Sequence, residues 1–141
     1  MIRAILDTNV IVAAALSRDG APAQLLRALA EGRFDAITCP TLLDELASVF
    51  ERPRIAKRIA HEDAVAIVAW YRRVAIVEPD PVEVPRLSPD PDDDVVLALA
   101  NAAAAHAVVT GDAHLLDMPQ RAGGLRVVDS RTFLAVLERL P

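Results

Sequence analysis

Short apolar segments alternate with amphipathic segments along most of this chain. Short, mostly apolar runs indicate strands, and such runs occupy residues 2–6, 34–38, 75–77, 107–110 and 125–128. Segments with apolar residues three or four positions apart indicate helices, and they occupy residues 9–16, 22–32, 40–50, 61–73, 94–106 and 130–140, with a short helix around Leu115. The alternation predicts a three-layer α/β/α domain of the α/β class, with a central, mainly parallel sheet of about five strands.

Proline and small polar residues mark the boundaries of these elements. Pro40 suits the first turn of a helix, and Pro53 interrupts or restarts the helix that Pro40 begins. The acidic, proline-rich segment 79–91 is predicted to be a loop, and Ser130 is predicted to cap the last helix. No internal repeat or long linker divides the chain, so residues 1–141 are predicted to form a single domain.

The composition is that of an ordinary globular domain of 141 residues with a net charge of −5. Its single cysteine, Cys39, cannot form an internal disulfide, which fits a reducing compartment. The first residues lack the pattern of a signal peptide, and the longest alanine-rich run is too short to cross a membrane. A cytoplasmic location is therefore expected. The negative charge argues only weakly against a nucleic-acid partner, because bound cations would neutralise part of it.

Four carboxylate side chains occupy positions from which they could face one end of the predicted sheet. Asp7 directly follows the first strand, and Asp112 comes two residues after the strand 107–110. Ligands of parallel sheets bind at the carboxyl ends of the strands, where both residues are expected to lie. Glu45 and Asp94 border the apolar faces of their helices, which suggests that they face inward. The sequence does not by itself require that the four acids converge.

A cluster of carboxylates inside a folded protein is most readily tolerated around a cation. Like charges at short range raise one another's pKa and destabilise the fold. Oxygen ligands without His or Cys suit Mg²⁺ or Mn²⁺, and such an ion can activate a water molecule for attack on a phosphoryl group. If the acids converge, they therefore indicate metal-assisted hydrolysis of a phosphate ester.

Each acid also has a simpler structural interpretation. Asp7 is a residue type that favours turns after strands, and Glu45 could be a solvated helix residue. The acids 92–94 could complement the dipole of the helix that they precede, and Asp112 could cap the short helix that follows it. The basic cluster at 52–58 is interpreted as a solvated helix face rather than as a dedicated RNA groove.

Four short motifs together resemble the PIN-domain ribonucleases, and in particular the VapC-type toxins of toxin–antitoxin pairs. In chain order they read LDTNV at 6–10, PTLLDEL at 40–46, DPDDDVVLA at 90–98 and VTGD at 109–112. No single motif is specific, whereas the ordered set extends over most of the chain. The resemblance implies a PIN-like fold and a metal-dependent endoribonuclease that hydrolyses RNA phosphodiester bonds.

The resemblance also implies a role for individual residues. Four acids would hold a catalytic Mg²⁺ or Mn²⁺ ion, namely Asp7, Glu45, Asp94 and Asp112. Asn9 and Thr110 would support this site through hydrogen bonds. The third acid comes from the run 92–94. The usual spacing in the family is 18 residues before Asp112 (112 − 94), and it selects Asp94. Asp93 fits instead if the turn between the helix and the next strand is one residue longer.

The same resemblance implies particular partners. These are an RNA substrate and a cognate antitoxin protein, with a homodimer as the expected assembly and no membrane association. Two alternative functions stay open. One is a catalytically inactive PIN-like module that binds RNA or a protein. The other is a metal-dependent phosphatase, which the sequence disfavours because haloacid-dehalogenase-like phosphatases need a second Asp at the position of Asn9.

Overall fold

The computed structural model describes residues 1–86, 91–117 and 125–140, apart from the side chain of Asp92. The strands are β1 (Arg3–Leu6), β2 (Asp35–Thr38), β3 (Ile76–Val77), β4 (Ala107–Val109) and β5 (Arg126–Val128). The helices are α1 (Thr8–Leu16), α2 (Ala21–Ala30), α3 (Pro40–Phe50), α4 (Pro53–Ala56), α5 (His61–Val74), α6 (Pro91–Ala102), α7 (Ala113–Leu116) and α8 (Ser130–Glu138). Residues 87–90 of the predicted loop lie outside the described residues.

The described strands form one five-stranded sheet in the order β3-β2-β1-β4-β5. Every neighbouring pair is parallel, so the predicted α/β architecture is confirmed. The central strand β1 has β2 on one side and β4 on the other, with Leu6 in register with Val109. The carboxyl ends of β1 and β4 therefore lie side by side.

The two faces of the sheet carry separate halves of the apolar core. On one face, Ala4 and Leu6 pack with residues of α1, α2, α3, α5 and α8. On the other face, Ile5 and Val108 pack with Val96 of α6. This alternation follows from the two-residue period of a strand. Each fully buried aliphatic side chain contributes about 1.5–3 kcal/mol to folding.

The helix α6 differs from the sequence prediction at both ends. It begins at Pro91 and ends at Ala102, whereas the sequence predicted a helix over 94–106. The early start places proline and acids in the first turn, where both are favourable. The early end follows from Ala104, which takes a left-handed conformation with φ of 51°. The guanidinium of Arg3 donates a hydrogen bond of 2.6 Å to the carbonyl of Ala104, which helps to hold this turn.

The N-terminal cap of α8 also differs from the prediction. Asp129, not Ser130, is the capping residue, and its Oδ1 accepts a hydrogen bond of 2.8 Å from the amide of Thr132. Ser130 is instead the first residue of the helix, which ends at Glu138, two residues before the predicted end. The change of one position matters because Asp129 then carries the cap and the side chain of Ser130 does not.

Candidate active site

The pairing of β1 with β4 brings Asp7 and Thr110 together. Each residue directly follows its strand, and the last residues of the two strands are in register. Thr110 Oγ1 donates a hydrogen bond of 2.7 Å to Asp7 Oδ2, and the amide of Asp7 donates one of 2.9 Å to the carbonyl of Val109. Thr110 is fully buried and Asp7 is 7% exposed. A carboxylate is thus held at the carboxyl edge of the sheet, as the sequence predicted.

Thr110 also connects Asp7 to Asp112. Its Oγ1 accepts a hydrogen bond of 2.9 Å from the amide of Asp112. The Oδ1 atom of Asp112 in turn accepts one of 2.8 Å from the amide of His114 and so caps α7. The capping interpretation of Asp112 therefore describes one of its carboxylate oxygens. Through Thr110, the backbone amide of this half-buried residue lies one hydroxyl away from Asp7.

Asn9 links the first turn of α1 to the same turn after β4. Its Oδ1 accepts a hydrogen bond from the amide of Gly111 at 3.4 Å, a length typical of a weak bond. The side chain is otherwise exposed to solvent. Asn9 and Thr110 both make hydrogen bonds at this edge, and their support of a metal site stays a prediction.

Two of the acids in the first turn of α6 are buried. Asp93 and Asp94 are 4% and 3% exposed, which is unusual for carboxylates. They lie in the first turn of a helix that packs against β1, β4 and α3 and that leads into β4. A helix that precedes a parallel strand runs antiparallel to it, so this first turn lies near the carboxyl edge of the sheet. The third acid of the run, Asp92, has its side chain outside the described residues.

The two acids occupy different sides of α6. Asp93 precedes Val96 by three residues and Ala100 by seven, and both of these pack on the sheet. Asp94 shares its side with Leu97 and exposed Asn101, and both of these face the segment 81–85. Asp93 is therefore on the side of the helix that faces the strands, and Asp94 is turned away from them.

Glu45 lies in the second turn of α3, where it is half-buried. The start of this helix is held by a residue that the sequence analysis did not single out. Asp80 accepts hydrogen bonds from the amide and the hydroxyl of Thr41, at 2.9 and 2.8 Å. The helix needs this partner because its own N-cap residue, Cys39, makes no capping side-chain bond. The absence of a capping residue before Pro40 was a signal available in the sequence.

The electrostatics of this helix start follow from the same contacts. The backbone hydrogen bond from Thr41 holds the pKa of Asp80 below its usual value. Burial raises the pKa of the Cys39 thiol to about 11, since the thiolate would lose its hydration. Cys39 is therefore a neutral thiol at physiological pH and a poor candidate for a metal ligand.

The convergence of the four acids stays a prediction. Among the residues that the structure describes, no three His, Cys, Asp or Glu side chains are grouped closely enough to share a metal ion. The donors at this edge are nevertheless carboxylate and hydroxyl oxygens, the chemistry that Mg²⁺ prefers. Mg²⁺ usually keeps several water ligands and takes only one or two protein carboxylates directly. By donor chemistry, the residues therefore fit Mg²⁺ or Mn²⁺ better than a metal that needs a closed protein cage.

A comparison with protein families identifies this arrangement. The model of the PIN domain family matches residues 3–114, which include every predicted site residue. This chain belongs to the PIN domain family. PIN domains are typically nucleases, and those nucleases generally use divalent metals.

Known relatives agree with this assignment at the level of the fold. The chain is 25% identical over 118 residues to the uncharacterized protein MJ1680 of Methanocaldococcus jannaschii, covering 83% of this chain and 75% of that protein. The crystal structure of PAE2754 from Pyrobaculum aerophilum superposes with a TM-score of 0.70 and 18% identity, covering 99% of this chain and 91% of that one.

Two further similar structures come from VapC-containing systems. One is VapBC2 from Rickettsia felis bound to a DNA fragment from their promoter, with a TM-score of 0.62, 15% identity, and coverage of 91% of this chain and 98% of that one. The other is VapC20 of Mycobacterium tuberculosis, a sarcin-ricin loop cleaving toxin, with a TM-score of 0.53, 15% identity, and coverage of 74% and 86%. At these identities the similarity establishes the fold.

Proposed function

We propose that this PIN domain is a divalent-metal-dependent endoribonuclease that hydrolyses RNA phosphodiester bonds. We further propose that it acts as the toxin of a type II toxin–antitoxin pair and that residues 1–141 form one catalytic unit. The observation that carries the proposal is the buried carboxylate of Asp7, which the Thr110 hydroxyl holds at the carboxyl edge of the parallel sheet. A PIN domain that retains such a carboxylate has the central requirement for metal-assisted hydrolysis.

The hydrogen bonds around Thr110 orient Asp7 for this role. Because Thr110 Oγ1 accepts the amide hydrogen of Asp112, its own single hydrogen is directed to Asp7. Thr110 therefore holds the Asp7 carboxylate in one orientation at the edge of the sheet.

Four carboxylates would hold the Mg²⁺ or Mn²⁺ ion, directly or through water, and Asn9 would support them. These are Asp7, Glu45, Asp112 and one acid from the first turn of α6. When bound, the ion would activate a water molecule and stabilise the negative charge that develops on the phosphoryl group. The cation would also offset the cost of keeping buried carboxylates ionised.

The acid contributed by α6 can be identified by a matched pair of substitutions. The family spacing selects Asp94. The packing of α6 supports Asp93 instead, because Asp93 lies on the side of the helix that faces the sheet and Asp94 does not. We therefore propose Asp93. Asp93→Asn should then lose RNA cleavage, whereas Asp94→Asn should retain most of it. The opposite pattern, in two variants that fold equally well, would return the assignment to Asp94.

The proposed activity is tested with purified protein and a panel of structured and single-stranded RNAs. Cleavage is expected with Mg²⁺ or Mn²⁺ and is expected to stop when EDTA is added. A phosphomonoester serves as a second substrate, because its hydrolysis without RNA cleavage would indicate the phosphatase alternative. Binding of RNA without cleavage of any substrate would indicate an inactive binding module instead.

We propose that a cognate antitoxin would bind at an apolar groove between α3 and α5. The groove has a volume of about 310 Å³ and is lined by Phe50, Val65 and Val68 among others. Val65 is 54% exposed, which is high for a valine in a folded domain. An amphipathic segment of an antitoxin could fill this groove. No helix among the described residues has the length and apolar character needed to cross a membrane.

We also propose that the chain forms a homodimer. The exposed side of the alanine-rich helix α6 is one surface that such a dimer could use, and the segment 81–85 lies across a groove from Ala98, Asn101 and Ala102 on this helix. A homodimer could also use another face. Light scattering on the purified protein measures the oligomeric state directly.

A further inference from the structure

A groove lies beside the candidate active site, and the hydrolysis proposed above does not by itself require it. Its volume is about 430 Å³, and it opens between the turn after β4 and the first turns of α1, α2 and α8. Asn9 and Thr110, which support the proposed metal site, line the groove. Pro22, Ser130 and Arg131 line it as well. The groove is therefore continuous with the edge of the sheet where hydrolysis is proposed.

Three helix N-termini face this groove. The helices α1, α2 and α8 have 9, 10 and 9 residues, and the groove is lined by residues of the first turn of each. The start of a helix carries a partial positive charge and amide hydrogens without a partner inside the helix. In α8, Asp129 takes the amide of Thr132, and no acceptor among the described residues takes the amides of Ser130 and Arg131.

The side chain of Ser130 is a second, independent sign of a ligand. This residue is only 7% exposed, yet its hydroxyl has no hydrogen-bond partner among the described residues. Within the described part of the chain, the side-chain atoms that are sealed from solvent and lack a partner are Arg3 Nε and Tyr71 Oη, and Ser130 Oγ is not one of them. Because Ser130 lines the groove, we take its hydroxyl to be open to the groove and to what the groove holds.

The charged groups at the groove favour an anion that accepts hydrogen bonds. Arg131 is exposed and supplies a positive charge at the rim. Asp129 is an acid that also lines the groove, and its carboxylate is engaged by Thr132. The Thr132 hydroxyl and amide, together with the charge of Arg131, hold the pKa of Asp129 below its usual value. Asp129 is thus used by the helix cap. The donors that remain at the groove are the hydroxyl of Ser130, the amides of Ser130 and Arg131, and the guanidinium of Arg131.

We infer that this groove binds a phosphate group of the RNA strand, at a nucleotide adjacent to the scissile bond. The inference rests on the proposed ribonuclease function and adds a substrate subsite to it. A phosphodiester accepts hydrogen bonds but donates none, which matches the donors of Ser130 and Arg131. Helix N-termini bind phosphate groups by the same combination of amides and dipole. A strand held here would pass over Asn9 toward Asp7.

The subsite is tested first by NMR on the wild-type protein, in EDTA so that no metal-dependent cleavage occurs. Titration with a short single-stranded RNA should shift the amide signals of Ser130, Arg131 and Gly111. Inorganic phosphate is titrated in parallel. If phosphate shifts these amides at the same concentrations as the RNA, the groove is a site for small phosphate compounds and the RNA subsite is wrong.

A matched pair of arginine variants provides the second test. Arg131 and Arg139 lie at opposite ends of α8, and both are exposed. For single-stranded RNA, each lost phosphate contact reduces the slope of log K against log salt by about 0.7. Arg131→Ala should show this reduction and bind RNA several-fold more weakly at low salt. Arg139→Ala should match the wild type, and circular dichroism checks that both variants fold.

The subsite and the proposed activity can fail separately. Metal-dependent cleavage of RNA with no shift at Ser130 and with equal salt slopes for the two variants would overturn the subsite and leave the nuclease intact. Shifts at Ser130 and Arg131 together with a reduced slope for Arg131→Ala would support the subsite even if no RNA is cleaved. In that case the groove would belong to an RNA-binding PIN domain without activity.

Discussion

The hydroxyl of Thr110 offers a direct test of how the candidate site is held together. Thr110→Val replaces this hydroxyl with a methyl group of similar size. The change removes the donor to Asp7 Oδ2 at 2.7 Å and the acceptor for the amide of Asp112 at 2.9 Å. Both bonds are shielded from water, because Thr110 is fully buried.

The magnitude follows from the two bonds. Loss of a hydrogen bond to a charged group costs about 1.5–3 kcal/mol, and loss of the neutral bond to the Asp112 amide costs about 1 kcal/mol. The free energy of unfolding should therefore fall by about 2.5–4 kcal/mol, which is large for a single substitution. Thr110→Ser keeps the hydroxyl and loses one methyl group, so it should cost only about 1 kcal/mol.

Urea denaturation in EDTA measures both variants without a contribution from bound metal. The ratio of the two effects is the informative quantity, because it separates the hydroxyl from the packing of the side chain. If Thr110→Val unfolds within about 0.5 kcal/mol of the wild type, the hydroxyl does not hold Asp7 as described. Equal losses for valine and serine would point to packing as the only role of Thr110.

Three further predictions address other parts of the molecule. Asp80→Ala should lower the free energy of unfolding by about 1 kcal/mol at pH 7, since it removes the bonds that hold the start of α3. Because the pKa of Asp80 is lowered in the folded state, its contribution is present above the unfolded pKa of about 4 and is lost as the pH falls through the lower folded value. The difference in the free energy of unfolding between wild type and variant should thus shrink near pH 2, and an unchanged difference would contradict this. Ile5→Ala should cost about 2–5 kcal/mol in the same assay, because Ile5 is fully buried beneath α6, and a cost below about 1 kcal/mol would contradict the described packing. Mg²⁺ at a hundred times its Kd should stabilise the wild type by about 2.7 kcal/mol in thermal denaturation and should not stabilise Asp7→Asn; equal stabilisation would place the ion elsewhere.

The sheet could be predicted from the sequence because its strands are apolar on both faces. Runs such as 107–110 have no solvated side, which is typical of parallel strands covered by helices. The position of Asp7 at the edge follows from the same pattern, because a polar residue directly after a buried strand must lie where the strand ends. The strand order was not predictable, because it depends on which strands pair in space.

The ends of α6 show where local signals fail. Ala104 adopts a left-handed conformation that normally favours glycine or asparagine, so the alanine-rich sequence contains no stop signal there. The turn is held from outside by Arg3, which lies about a hundred residues away in the sequence. A tertiary contact of this kind leaves no trace in the local pattern, and the helix was consequently predicted to extend to residue 106.

The supporting contacts of the site were likewise only partly visible. The bond between Thr110 and Asp7 follows from the register of two neighbouring strands, and the motifs VTGD and LDTNV suggested it. The hydrogen bonds between Thr41 and Asp80 join a distant helix start to a loop, and neither segment alone predicts them. The buried Ser130 hydroxyl was mistaken for a cap, because capping residues are only distinguishable by position to within one residue.

RNA cleavage by wild-type protein and by Asp7→Asn, each with Mg²⁺ and with EDTA, decides whether Asp7 has the proposed role. Glu31→Gln is the matched control, because Glu31 is exposed at the end of α2, which leads into β2 at the opposite, amino edge of the sheet. We expect cleavage by the wild type and by Glu31→Gln with Mg²⁺ only, and none by a correctly folded Asp7→Asn. Undiminished cleavage by Asp7→Asn, or cleavage that persists in EDTA, would contradict this expectation.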